Sequence, residues 1–277
     1  MLRLAAATGA EIKPIDSTLL GDAAHPMYPI GSNGATNWLS PGFMWAEGVK
    51  LFDDRWNVII DNAEMAPKVT GYLDFFAELY KTMPAGASQA SFGEVLSNFA
   101  SDKVGHTAYA GRIIEALERT SPQLATKYGI TPYMDSKGQA QAVNHGYDGW
   151  VVLKTPNSDE SMKFMSWFTE NHYINFLHTA PLHFQPPRLD VYEDERWRAH
   201  PLIEKHQAAV NQMRTFITDK SIRLTSIDTE GPEPDLRPGK VFEAFVIPEM
   251  LQNKILKGMS SAEALKTAAE KMRRVIA

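Results

Sequence analysis

Along this chain, short strand-like runs alternate with helices until about residue 157, after which helical periodicity takes over. From Ala63 to Lys81, apolar Met65, Val69, Leu73, Phe76 and Tyr80 recur at three- and four-residue spacing, which predicts a helix with one buried face. Pro67 lies early in that run and sets its regular part later. Ser91-Phe92-Gly93-Glu94 has the spacing of a capping box and starts a second helix. "KVGHTAYAG" (103–111) reads as a strand ending at Tyr109 that runs through Gly111 into the helix "RIIEALER". "GITPY" (129–133) and Val151 to Leu153 read as further strands, the latter apolar enough to be buried, and "LFDDRWNVIID" (51–61) as a hairpin. Helices are predicted over 159–170, 172–179, 199–218, 240–256 and 261–276, the last opened by Ser260-x-x-Glu263.

Residues 1–45 break this order. "HPMYPIGSNGATNWLSPG" (25–42) mixes prolines and glycines with small polar residues and predicts irregular structure. "APLHFQPPR" and "DTEGPEPDLRPG" read as Pro-rich connections. The sum is an α/β or α+β protein, helix-rich, with too few strands for the usual sheet of about five or six.

Charge and composition narrow the function classes. A net charge of −5 disfavours nucleic acid, whose phosphates need a basic surface. No run approaches the roughly 18 apolar residues of a membrane helix, and "MLRLAAATGAEIKP" is too briefly apolar to read as an export signal. With no cysteine and eight histidines outside metal-ligand spacings, neither disulfide nor metal site is expected. Phosphate-loop, dinucleotide, nucleophile-elbow and zinc-protease motifs are all missing, so no cofactor is expected.

Aromatic and polar residues do cluster in the loops. "TNWLS" sets Asn37 beside Trp38, "AYAGR" sets Tyr109 near Arg112, and "GYDGW" joins Tyr147, Asp148 and Trp150 between glycines. Sugar recognition needs this mixture. A pyranose offers an apolar face to an aromatic ring and hydroxyls to multidentate polar groups. Each of these residues can equally be a core aromatic or a solvent-facing charge. A glycan hydrolase using Asp148 with a second acid, Glu47 or Asp61, fits the same residues. So does a helical interaction module whose exposed faces bind another protein.

A resemblance favours ligand binding, with the hydrolase kept as the alternative. "GVKLFDDRWNVIIDNAEMAPKVTGYLDFFAELYKTMP", "SFGEVLSNFASDKVGHTAYAGR", "GYDGWVVLKTPNSDESMKFMSWFTE", "HTAPLHFQPPR" and "ILKGMSSAEALKTAAEKMRRVI" follow one another in the order of blocks in the later portion of the family-1, carbohydrate-type extracellular solute-binding proteins of bacterial ABC importers. The resemblance covers about residues 45–277. It implies a type II periplasmic-binding-protein-like fold of two lobes, incomplete here, with a sugar or polyol cleft between them. It divides the chain into a second-lobe portion, 1–147, and a helical portion returning to the first lobe, 148–277. Trp38, Tyr109, Arg112, Tyr147, Asp148 and Trp150 become the ligand-binding candidates, with Trp150 at the cleft floor. The function implied is ligand capture without catalysis, in the periplasm, for ABC permease subunits. The family carries a large first portion ahead of this region, so a truncated form, or a separately encoded N-terminal portion as partner, is expected, with apolar helix faces left uncovered.

Overall fold

The computed structural model describes residues 25–146 and 148–277. The stretch read as irregular supplies a two-residue strand, β1 (Pro26–Met27), and two short helices, α1 (Gly34–Leu39) and α2 (Gly42–Ala46). Asn33 starts α1 by accepting the Thr36 N–H, a local cap that overrides the glycine-rich composition. The predicted 51–61 hairpin is a single antiparallel bridge, Phe52 to Val58, closed by Asp53, which accepts N–H groups of Arg55 and Asn57. Helix α3 (Ala66–Tyr80) begins where Pro67 fits its first turn. Helix α4 (Phe92–Ala100) starts with the capping box of Ser91 and Glu94.

Two small sheets follow. Strand β2 (His106–Thr107) lies parallel to β1, with Pro26 opposite His106. Helix α5 (Arg112–Thr120) leaves directly from that edge. Strand β3 (Tyr133–Met134) is antiparallel to β4 (Ala140–Asn144), and β4 is parallel to β5 (Arg223–Thr225), with Val143 opposite Leu224. β4 is five residues long and β5 three, too short for hydrophobic patterning to expose them.

Beyond 157 the two predicted helices 159–170 and 172–179 are one, α6 (Ser158–Leu177), because no residue between them breaks the hydrogen-bond ladder. A short helix, α7 (Glu195–Arg198), precedes the predicted 199–218 helix, which is itself two pieces, α8 (Pro201–Lys205) and α9 (Gln207–Thr218), interrupted at His206. The 240–256 helix is two, α10 (Arg237–Glu243) and α11 (Val246–Ile255), joined through Phe245 in the left-handed region. Helix α12 (Ser261–Ile276) matches its prediction and carries both halves of its capping box.

The larger core draws on residues 27–108, Ala142 and 227–272, with Trp45 and Phe76 fully buried. The smaller draws on residues 114–210 around Trp197. Residues from both sides of position 147 therefore share each core.

Val151 to Leu153 differs from expectation. It is neither a strand nor buried: Val151 is 84% and Leu153 73% exposed. Its apolar run supplies the propensity but no described strand lies beside it to pair with.

Arg223 ties the second sheet to the larger core. Its guanidinium pairs with Glu230 at 2.7 and 2.9 Å, donates to the Val49 carbonyl at 2.5 Å and lies over the Trp45 ring. Arg223→Ala strands a buried carboxylate, so it should destabilise the fold by about 3 kcal/mol. Arg273→Ala, at the half-exposed Asp61 pair, should cost under about 1 kcal/mol. Urea unfolding midpoints of the two variants check the ordering.

Candidate functional site

The segment after β4 leads toward α6, and described side chains gather at both of its ends, near residues 144–146 and 148–150. At the first end lies Trp38. Asn144 donates its amide to the Trp38 carbonyl, and the Trp38 ring covers Gly146, where a β-carbon would sit 3.0 Å from it. Trp38 also meets Phe242 edge-on at 5.2 Å. Gly146 is thus a glycine because an indole occupies the space of its side chain. Behind Trp38, the buried Asn37 donates to the Phe242 carbonyl at 2.8 Å, while its Oδ1 and that of Asn144 are buried with no partner among the described residues. Burying an acceptor without a partner is costly, so these two oxygens are the unsatisfied polar atoms at this end of the segment among the described residues.

At the other end is α5. The Gly111 backbone lies so close to the 180–184 connection that a β-carbon there would be 1.8 Å from the Leu182 carbonyl oxygen. One turn on, buried Glu115 accepts the Leu182 N–H at 3.0 Å and the His183 N–H at 3.2 Å. This joint holds His183 beside Arg112. Burial first, and then the Arg112 charge, hold the His183 imidazole below its ordinary value, with Glu115 and Asp148 pulling the other way. The His183 Nδ1 is buried and unpartnered among the described residues. Arg112 is exposed and forms no ion pair with a described residue. Tyr109, half-buried and edge-on to Phe92, is held above its usual value by burial while Arg112 opposes the shift.

Trp150 packs edge-on against Phe168 and Phe176 at 5.4 and 5.1 Å, and Phe176 stacks on Phe184 beside His183. It is half-exposed, so one part of the indole is held by α6 and the rest is open. Of the predicted residues, Arg112 and Asp148 therefore act on His183, and Tyr109 is linked to them through Arg112. Trp150 flanks His183 through the aromatic stack, and Trp38 stands at the opposite end of the segment. Tyr147 lies outside the described residues.

The sequence reading passed over His183, Glu115 and Asn144. "APLHFQPPR" reads as a connection, and only the contact with Gly111 turns it into a wall. The acids that would accompany Asp148 in a hydrolase are engaged elsewhere: Asp61 pairs with Arg273 at 2.6 Å and Glu47 accepts the Ser136 N–H at 2.5 Å. Among the described residues no group of three or more His, Asp or Glu could hold a metal ion. No helix among them is long and apolar enough to cross a membrane.

No protein-family model matches the sequence, and no curated protein matches it. Solved structures do. An ABC transporter solute-binding protein from Thermotoga lettingae TMO, bound with α-D-tagatose, is 18% identical with a TM-score of 0.63 and aligns over 100% of this chain and 68% of its own. Maltose-bound MalE3 of T. maritima aligns over 98% of this chain and 68% of its own, at 16% identity and a TM-score of 0.67. A solute-binding protein from Agrobacterium radiobacter K84 in complex with ribitol gives 14% identity, a TM-score of 0.56 and coverage of 98% and 67%. The fold is that of the type II periplasmic-binding proteins. The chain spans about two thirds of each of these three structures.

Burial holds four histidines neutral in the fold: His106, His145, His183 and His200 all sit below their ordinary value. Unfolded, they take up protons near pH 6.5, so their stabilisation is complete above that pH and is lost as pH falls toward the lowered folded values. The carboxylates whose values are lowered, Asp194 to about 2 among them, act only below about pH 4. The melting temperature should therefore fall between pH 6.5 and 5, and His183→Gln should make that slope shallower. An unchanged slope in the variant would place the titration on the other histidines.

Proposed function

We propose that this chain is the substrate-capturing component of an ABC importer, or a part of one, and that it binds a sugar or polyol without chemical change. The carrying observation is the half-open Trp150 indole beside Asp148, Arg112 and the unpartnered His183 Nδ1. An apolar sugar face takes the indole, and ring hydroxyls take the carboxylate, the guanidinium and the imidazole. At the far end of the segment, the Trp38 ring offers a second platform, backed by the Asn37 and Asn144 oxygens that have no partner among the described residues. Tyr147 joins them in this reading as the residue between the two ends.

The likeness in fold supports the ligand class, since the matched structures carry tagatose, maltose and ribitol. Delivery to permease subunits in the periplasm belongs to the same proposal. Closure of two lobes on the ligand would present the loaded form. Catalysis is not part of it, because both acids named to accompany Asp148 already serve structural contacts.

A thermal-shift scan of the purified chain against tagatose, maltose and ribitol tests the reading. Ligand at one hundred times Kd stabilises the native state by about 2.7 kcal/mol. At least one of the three should raise the melting temperature, Trp150→Ala and Arg112→Ala should each remove most of the rise, and Arg112→Ala, at an exposed side chain, should do so without lowering the unliganded melt. A cooperative melt that none of the sugars moves, or a shift that survives both substitutions, sinks the assignment.

A further inference from the structure

Two histidines meet where the end of α6 touches the junction of α7 and α8. His178 closes α6, and its ring lies 4.9 Å from that of His200. Hydrogen bonding fixes one nitrogen of each. The His178 Nε2 is 3.0 Å from the Trp197 carbonyl oxygen, so it carries a proton and donates. The His200 Nδ1 accepts the Leu202 N–H at 3.2 Å, so it carries none. That second bond is the N-terminal cap of α8. Pro201 has no N–H to offer, which makes Leu202 the first donor of the helix and the His200 ring its partner. The usual capping side chains, Ser, Thr, Asp and Asn, keep their acceptor near neutral pH. An imidazole loses its acceptor when it takes up a proton.

We propose that His178 and His200 form an acid-released latch, in which a proton on the His200 Nδ1 removes the cap of α8, places a cation beside the His178 ring and frees the end of α6 from the α7–α8 junction. The charges around the pair favour release. Burial first, and then His178, hold His200 below its ordinary value, with Glu115 of α5 pulling the other way. The Glu115 carboxylate already accepts the Leu182 and His183 N–H groups. Next to His200 in sequence, Arg196 pairs with Asp194 and Lys205 with Glu118, while Arg198 and Glu204 are exposed. On its other side His178 borders a groove with Glu170, Arg188 and Asp190, the last two closed on each other as a pair. Because the folded value of His200 is lowered, the latch is closed above about pH 6.5 and opens as pH falls toward that lowered value. The freed end carries Phe176, which stacks on Phe184 and touches Trp150, so the opening reaches the aromatic wall of the candidate site. The latch itself does not rest on the sugar reading.

Amide exchange of the purified full chain at pH 7.5 and 5.5, corrected for the intrinsic pH dependence of exchange, tests it. Leu202 and the last turn of α6, Ile174 to His178, should open roughly tenfold more readily at pH 5.5, with Ala268 in the larger core unchanged. His200→Asn keeps an acceptor that does not titrate, so both segments should change less than about twofold between the two pH values. His200→Ala has no cap at either pH, and its Leu202 amide should exchange at pH 7.5 as the unsubstituted chain's does at pH 5.5. An equal response to acid in the chain and its Asn variant overturns the latch, as does a rise at Leu202 with none in α6, or one shared by Ala268. Nitrogen-15 spectra of the histidines in the unsubstituted chain give a check free of folding effects: a protonated His200 Nδ1 at pH 7.5 also overturns it. No sugar is present in these measurements, so their outcome and that of the thermal-shift scan are read apart.

Discussion

The buried carboxylate of Glu115 fixes the position of everything at the arginine end of the candidate site. It accepts two consecutive backbone N–H groups from the 180–184 connection. The Leu182 N–H has no strand or helix to satisfy it, and leaving it bare in the interior would be costly, while the His183 N–H is shared with the Ala180 carbonyl at 3.0 Å. Gly111 makes the arrangement possible, since any side chain there would strike the Leu182 carbonyl. Once that joint is closed, His183 must stand beside Arg112, and Phe184 must stack on Phe176. The aromatic row then reaches Trp150. One glycine and one acid thus convert a Pro-rich connection into the wall of a site.

The other end of the segment depends on a different economy of contacts. Trp38 fills the space over Gly146, and Asn144 holds the Trp38 backbone, so β4 and α1 are locked together across more than a hundred residues of sequence. Arg223 does similar work below, joining β5 to Val49 and Trp45. Both sheets are short, with two and three strands, so these side-chain ties do what a wider ladder of backbone bonds would otherwise do. Between the two anchored ends, Asp148 and Trp150 are left accessible.

A fold in which α6 is apolar on several sides yet mostly solvent-facing is under an energetic conflict that its own residues do not resolve. Most of a helix's stability in a globular protein comes from packing an apolar face. Here the last turns of α6 have that packing, through Leu177 and Phe176, while the first turns do not. The candidate site lies at the border between the packed and the bare halves, because Trp150 touches α6 at Phe168 and Phe176.

What the sequence determined by itself is the set of elements whose signals are local. The capping boxes at Ser91 and Ser260, the first-turn proline of α3 and the periodic faces of α3 and α12 depend on residues three or four apart. Their positions follow from backbone geometry without knowledge of neighbours. The aromatic-polar clusters around Trp38, Tyr109 and Trp150 were legible for the same reason. Tertiary structure decided the rest. Strands β4 and β5 exist because they find each other, not because their runs are apolar. Val151 to Leu153 has the composition of a buried strand but no described partner beside it, so it stays an exposed extended run. His183 and Glu115 became site residues only when Gly111 let two distant segments touch, and long-range contact of that kind leaves no periodic trace in a single sequence.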